Sequence, residues 1–333
     1  MADLQSDELR QVRDHHLPQV LMIKEHRVLS TYLPELSNRF ELLNAYESPL
    51  PILDFLATYG KTVKAMICSG ATKVDREVVD NLPSLKLIVT TSAGLNQIDL
   101  AECRRRGVAV ANAGGIFSED CADLAVGLLI DVLRKVTSGD RFVRTGNWPS
   151  KRVFPLGSKL RGKRVGIIGL GSIGTQVAKR MEAFGCSISY NSRKPKPSVS
   201  YPFYSNVCEL AANCDVLIIC CALTPQTHHM VNREVLQALG KDGVVVNIAR
   251  GAIVDEKELV RCLVEDEILG AGLDVFENEP NVPIDLFAMD SVVMSPHRAV
   301  LTPESIGDLY ILIVRNLDAF FSNKPLLNLV EEE

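Results

Sequence analysis

Short apolar runs alternate with helical repeats over most of this 333-residue chain. Runs at 20–23, 65–68, 87–90 and 108–110 are rich in Val, Ile and Leu and are bounded by turn residues, which predicts strands buried on both faces. A second series follows at 164–168, 187–190, 216–220, 244–248, 272–275 and 292–295. Between the two series, 119–136 carries Ala122, Ala125, Val126, Leu129, Val132 and Leu133 at helical spacing, which predicts a mostly buried helix. Residues 139–155 show neither period and read as irregular; they hold the only tryptophan, Trp148. Pro303 opens a long amphipathic helix with Ile306, Leu309, Tyr310, Ile313, Leu317 and Phe320 on one side. Strands alternating with helices predict parallel α/β architecture, and two such series in a chain of this length predict two domains. The sequence shows no internal repeat and no low-complexity segment.

Composition narrows the chemistry. The net charge of −5 leaves no basic footprint for nucleic acid. Nine cysteines occur without a Cys-x-x-Cys pair, and several, such as Cys68, Cys220 and Cys221, lie in apolar runs. They read as buried, reduced thiols, suited to a cytoplasmic protein. No apolar run reaches the ~18 residues needed to span a bilayer. The acidic start, residues 1–8, is neither a signal nor a transit peptide, and Glu331, Glu332 and Glu333 are no peroxisomal address. Histidines, cysteines and acids show no metal-ligand spacing, so no metal is expected. His15, His16 and His26 have no partner motif, and His228 and His229 read as decoration of a helix start.

Gly169-Leu170-Gly171-Ser172-Ile173-Gly174 follows the 164–168 strand and opens a helical stretch. That context suits a dinucleotide site: Gly169 for the tight turn, Gly171 for approach of the pyrophosphate, Gly174 for packing of helix on strand. The next strand ends in Asn191-Ser192-Arg193-Lys194, where an NAD site would carry an acidic residue. Hydroxyl and cationic groups there would bind a 2′-phosphate that a carboxylate would repel. The expected cofactor is therefore NADPH in preference to NADH.

Three further loops each present one potent side chain after an apolar run: Arg250, Glu279 and His297. Reducing a 2-oxo acid needs a grip on the carboxylate, polarisation of the ketone and a proton for the alkoxide. A guanidinium provides the first two, an imidazole the third, and a carboxylate orients the imidazole and favours its charged form.

The GxGxxG, Val246-Asn247-Ile248-Ala249-Arg250-Gly251, Asp274-Val275-Phe276-Glu277-Asn278-Glu279-Pro280 and Ser295-Pro296-His297, in this order, strongly resemble the D-isomer-specific 2-hydroxyacid dehydrogenase family. The resemblance covers nearly the whole chain and is closest to plant hydroxyphenylpyruvate and glyoxylate/hydroxypyruvate reductases. It implies Arg250 as the substrate-binding arginine, His297 as general acid/base and Glu279 as its partner. It implies Asp274 at the nicotinamide carboxamide, with Ile248 and Ala249 lining the cofactor. Ser92-Ala93-Gly94-Leu95-Asn96-Gln97-Ile98-Asp99 resembles the substrate loop, with Ala93 and Gly94, and also Ser69, meeting the substrate carboxylate.

The fold so implied has two Rossmann-like domains of parallel sheets flanked by helices. An NADP-binding domain (119–299) is inserted into a smaller flavodoxin-like substrate domain (1–118 and 300–333), with catalysis in the cleft between them. The resemblance also implies a homodimer built through the 119–136 helix and the arm holding Trp148, although an apolar helix fits a buried core equally. The expected activity is NADPH-dependent reduction of glyoxylate, hydroxypyruvate or hydroxyphenylpyruvate. Two other readings belong to the same fold: a nucleotide-sensing corepressor and a formate-type dehydrogenase. Arg298-Ala299 replaces the small residues that follow the histidine in many relatives; Arg298 either borders the pocket or turns away from it.

Overall fold

The computed structural model describes residues 17–330. The expectations at His15, His16, residues 1–8 and Glu331–Glu333 lie outside the described residues. The chain divides into two compact units, one ending at Ala113 and resuming at Gly307, the other running Gly114–Ile306. In chain order the second is an insertion into the first.

The first unit holds a five-stranded sheet: β1 (Gln19–Met22), β2 (Glu41–Asn44), β3 (Ala65–Cys68), β4 (Leu87–Thr90) and β5 (Ala109–Ala111). The order is β2-β1-β3-β4-β5 and every pair is parallel, which is the flavodoxin-like arrangement. All residues of β3 and β4 are buried, the signature of strands covered on both faces. Strand β2 was not predicted. It is an edge strand with an exposed Glu41 and only half-buried neighbours, so it carries no continuous apolar run.

Beyond β1, His26 is 2% exposed and neither ring nitrogen has a hydrogen-bond partner of good geometry. Burial lowers its pKa to about 4, against the opposing effect of the Ile67 backbone. A depressed folded-state pKa means that the neutral ring favours folding fully above about pH 6.5 and that this is lost as pH falls toward 4. Between pH 7 and 5 the wild-type chain should lose about 2 kcal/mol more stability than His26→Leu. Urea unfolding at the two pH values checks this, and equal losses would refute it.

The second unit holds six parallel strands, β6 (Arg164–Ile168), β7 (Ser187–Asn191), β8 (Val216–Ile219), β9 (Val244–Asn247), β10 (Gly270–Leu273) and β11 (Val292–Met294). Their order is β11-β10-β9-β8-β6-β7. Phe203 adds one parallel bridge to Tyr190 of β7, a further strand reduced to a single pair. The chain leaves β6 in one direction and returns on its other side at β8. This reversal is where open α/β sheets bind ligands, at the carboxyl ends of the strands.

The Ser118–Arg134 helix packs on the Ser172–Ala183 helix and on β9, β10 and β11, so its apolar face belongs to the core of this unit. Lys135, at φ 55°, ends it. Residues 139–155 are not irregular: helices Val136–Arg144 and Asn147–Lys151 occupy much of them. Val136, Val143 and Trp148 are exposed there, so no apolar stripe marked these helices in the sequence. No helix among the described residues is long and apolar enough to cross a membrane. All nine cysteines are free, and burial pushes the thiols of Cys68 and Cys121 up to about 12.

Candidate active site

The glycine loop joins β6 to the Ser172–Ala183 helix. Gly169 has φ +96°, and a Cβ there would lie 2.6 Å from the backbone of Cys221. A Cβ on Gly174 would lie 2.1 Å from the Gly169 carbonyl oxygen. A Cβ on Gly171 would meet nothing within 4 Å. The outer two glycines are thus demanded by the fold, while open space lies beside the middle one, in front of a helix N-terminus. That is a cradle of the right kind for a pyrophosphate. Leu170 points into the core at 1% exposure, whereas Ser172 is exposed in the first turn and Ile173 half-buried.

At the end of β7, Asn191 is buried, and its side-chain amide donates to the Tyr204 and Ser205 carbonyls at 2.8 and 3.2 Å. It braces the turn, and its backbone carbonyl accepts from Gly169 N at 2.9 Å. Ser192 Oγ donates to the Lys194 carbonyl at 2.6 Å. Arg193 and Lys194 are exposed beside it. Of the four residues expected at a 2′-phosphate, Arg193 and Lys194 are exposed and Ser192 is half-buried with its hydroxyl bonded within the turn, while Asn191 points inward because its amide closes the turn.

Arg250 follows β9. Asn247, 1% exposed, folds the loop: its Nδ2 donates to the Arg250 carbonyl at 3.0 Å, and its Oδ1 accepts from Ala249 N at 3.1 Å. Ile248 and Ala249 are buried, and Arg250 Nη1 donates to the Ala249 carbonyl at 2.6 Å. Burial lowers the pKa of the guanidinium, and the negative charge of Glu279 opposes that shift. Next to it, Gly251 lies against the backbone of Phe276 and Glu277, where a Cβ would come within 1.9 Å of the Phe276 carbonyl carbon. This close approach seats the Arg250 loop on the loop that carries Glu279.

His297 follows β11 in a left-handed conformation, φ 53°, which is costly for a non-glycine residue unless its surroundings hold it. Asp274 does so. Its backbone carbonyl accepts from His297 N at 2.8 Å, and its carboxylate oxygens accept from Arg298 N and Ala299 N at 2.8 and 2.9 Å. The resemblance had implied Asp274 as a nicotinamide contact. It is 0% exposed, and both of its carboxylate oxygens accept within the turn after His297. Arg298 is exposed, held by its backbone N–H.

His297 Nδ1 lies 2.8 Å from Glu279 Oε2, and Glu279 Oε1 accepts from Phe276 N at 3.0 Å. Burial disfavours the Glu279 charge. The hydrogen bonds from His297 and Phe276 and the charges of His297 and Arg250 outweigh it, and the carboxyl is held below its usual range. An ionised carboxylate on Nδ1 fixes the tautomer and leaves Nε2 as the proton-transfer atom.

The substrate-loop candidates lie in the first unit. Ser69 follows β3, with its Oγ 3.0 Å from Thr72 Oγ1. Ala93 and Gly94 follow β4. Their carbonyls are tied inward, Ala93 by Asn112 Nδ2 at 3.0 Å and Gly94 by Ser92 Oγ at 2.6 Å.

One grouping was invisible in the sequence. His228, His229 and Glu277 bring ligand-type atoms within 4.8 Å of one another, with His229 Nε2 2.9 Å from Glu277 Oε1. The two histidines precede the Arg233–Leu239 helix in a turn rather than on it.

Comparison with known proteins places this geometry. Residues 126–299 match the model of the D-isomer specific 2-hydroxyacid dehydrogenase NAD-binding domain. A glyoxylate/hydroxypyruvate reductase of Arabidopsis thaliana is 52% identical over 317 residues, covering 94% of this chain and 98% of that protein. A hydroxyphenylpyruvate reductase of Plectranthus scutellarioides is 48% identical, covering 90% of this chain and 95% of that protein. Among solved structures, the NADPH-dependent glyoxylate/hydroxypyruvate reductase of Sinorhizobium meliloti, in complex with NADP and malonate, matches with a TM-score of 0.85. It is 34% identical and covers 95% of this chain and 97% of that one. Matched by the family's domain model over 126–299 and about half identical over nearly its whole length to two such reductases, the chain belongs to the D-isomer specific 2-hydroxyacid dehydrogenase family.

Proposed function

We propose that the protein is an NADPH-dependent reductase of small 2-oxo acids, with glyoxylate, hydroxypyruvate and hydroxyphenylpyruvate as the substrates to test. The observation that carries this reading is the His297–Glu279 pair at 2.8 Å beside the Arg250 loop, in the same unit as the glycine cradle. When bound, the nicotinamide supplies a hydride to the carbonyl carbon. His297 Nε2 donates the proton that the carbonyl oxygen gains. Glu279 keeps the imidazole oriented through Nδ1. Arg250 grips the substrate carboxylate and polarises the ketone. Ser69, Ala93 and Gly94 add hydrogen bonds to the carboxylate. Asp274 is a positioning residue that holds the His297 turn. The names of the relatives favour a reductase over the formate-type and corepressor readings.

Gly171 and Ser172 meet the pyrophosphate, Gly169 and Gly174 shape the turn and pack the helix, Leu170 and Ile173 complete the turn, and Ile248 and Ala249 back the cofactor. Ser192, Arg193 and Lys194 take the 2′-phosphate. NADPH oxidation followed at 340 nm with the three oxo acids tests the reading; no turnover with any of them would sink it. KM for NADPH should lie below that for NADH. The double variant Arg193→Ala/Lys194→Ala should erode the preference by about 10- to 100-fold, the worth of a charged hydrogen bond. A wild-type preference for NADH would overturn the cofactor assignment.

A homodimer and a cytoplasmic setting complete the proposal. Val136, Val143, Trp148, Val153 and Leu156 are exposed along the segment after the Ser118–Arg134 helix, apolar surface that a second copy would cover. A monomeric mass in sedimentation equilibrium would contradict the dimer. The free cysteines suit a reducing compartment; localisation of a tagged chain to an oxidising one would contradict that.

A further inference from the structure

His229 connects the two loops that carry Arg250 and Glu279. Its backbone N–H donates to the Ala252 carbonyl at 2.9 Å, two residues beyond Arg250. Its Nε2 lies 2.9 Å from Oε1 of Glu277, two residues before Glu279. A carboxylate only accepts, so the ring donates from Nε2. The far ring nitrogen, Nδ1, lies 3.8 Å from Asp255 Oδ2, and His228 stacks on the ring at 3.9 Å. The residue sits at φ 50°, a conformation that a histidine keeps only when its surroundings hold it there.

Glu277 is fixed in turn at its backbone, whose N–H donates to Glu256 Oε2 at 3.0 Å. The close approach of Gly251 to Phe276 and Glu277 presses the same two loops together from another side. Beyond Glu277 the loop is exposed at Asn278, Glu279 and Pro280. There it is steadied by the Phe276–Glu279 hydrogen bond and by the Asn281 N to Asn278 carbonyl turn bond at 2.9 Å. Besides these bonds, the loop is anchored at its base, on Glu277.

We propose that His229 and Glu277 form a lock that positions Glu279 against His297 and Arg250, making both of them positioning residues for the proton-transfer pair. This rests on the reductase reading of the site. A displacement of about 1 Å in such a group can cost about 100-fold in rate, so a fixed loop base has a kinetic consequence although neither residue touches substrate. Because Nε2 is committed to Glu277, the geometry favours this lock over a metal site built from the same side chains.

The test compares five variants under cofactor and oxo-acid saturation. Glu277→Ala and His229→Gly, the latter chosen because glycine suits the left-handed turn, should each lower kcat at least tenfold. KM for the cofactor should stay within about twofold. Glu277→Gln still accepts from the ring and should restore most of the rate lost in Glu277→Ala. In a Glu279→Gln background, Glu277→Ala should cost less than a further twofold, because the lock acts through Glu279. Wild-type kcat in Glu277→Ala, an equal loss in Glu277→Gln, or full additivity with Glu279→Gln would each overturn the proposal. If Glu277→Ala fails to fold, the comparison of Glu277→Gln with His229→Gly decides by the same criteria. A wild type inactive on every oxo acid would remove the reductase reading instead. The lock is then judged by the 15N shifts of the His297 imidazole, which His229→Gly must move if the proposal holds.

Discussion

His297→Gln should lower kcat by about 10²- to 10⁴-fold, the usual worth of a positioned general acid or base, with cofactor affinity within about twofold of wild type. Gln can keep a hydrogen bond to Glu279 Oε2, which now lies 2.8 Å from Nδ1, but it has no proton to deliver near neutral pH. The cofactor cradle lies on β6 and the following helix and does not depend on the 297 side chain. The left-handed backbone at this position is more readily adopted by Asn than by Gln. His297→Asn is therefore the companion variant and should lose as much rate. Steady-state kinetics with a cofactor titration checks both, and full turnover in either would remove His297 as the proton donor. The paired Glu279 adds a pH dependence. Its carboxyl is held below its usual range, so the pair's stabilisation is complete above about pH 4.5 and is lost as pH falls through the lowered value.

Gly251→Ala should damage the protein at a site with no chemistry of its own. The added Cβ would sit 1.9 Å from the Phe276 carbonyl carbon, 2.1 Å from its oxygen and 2.3 Å from Glu277 N. These are backbone atoms and cannot swing aside, so the Arg250 and Glu279 loops must part. Overpacking against rigid neighbours costs at least about 3 kcal/mol. In a unit of this size that corresponds to a fall in Tm of about 6–12 °C. Because both catalytic loops move, kcat should fall with it. Thermal unfolding by circular dichroism and a parallel rate measurement check this, and a variant with unchanged Tm and kcat would show that the close approach is not needed.

Much of this site could be read from the chain because its residues sit at strand ends, where an apolar run stops and a reactive side chain follows. Arg250, Glu279 and His297 all announce themselves in this way. What escaped was of two kinds. Local pattern failed at β2, whose edge position removes the apolar run, and at Val136–Arg144, whose apolar residues are few, with Val136 and Val143 exposed. Side-chain direction was not legible at Asn191 and Asp274, whose side chains also brace the turns around them. His229 and Glu277 are 48 positions apart, and nothing local in the sequence links them. Only the meeting of the β8, β9 and β10 loops brings them together.

The first unit is assembled from two segments, one on either side of the second unit in sequence. Leu329 pairs with Ala111, Val330 N donates to the Val110 carbonyl at 2.8 Å, and Tyr310 stacks on Tyr32 at 4.6 Å. During synthesis, β1–β5 are made before the second unit, yet their partners beyond Gly307 are made after it. The contiguous second unit has all its strands available earlier, and domains fold as units once their residues are out. The order of completion therefore inverts the order of translation: the strands made before the second unit must wait, with their partner surface open, for the segment made after it.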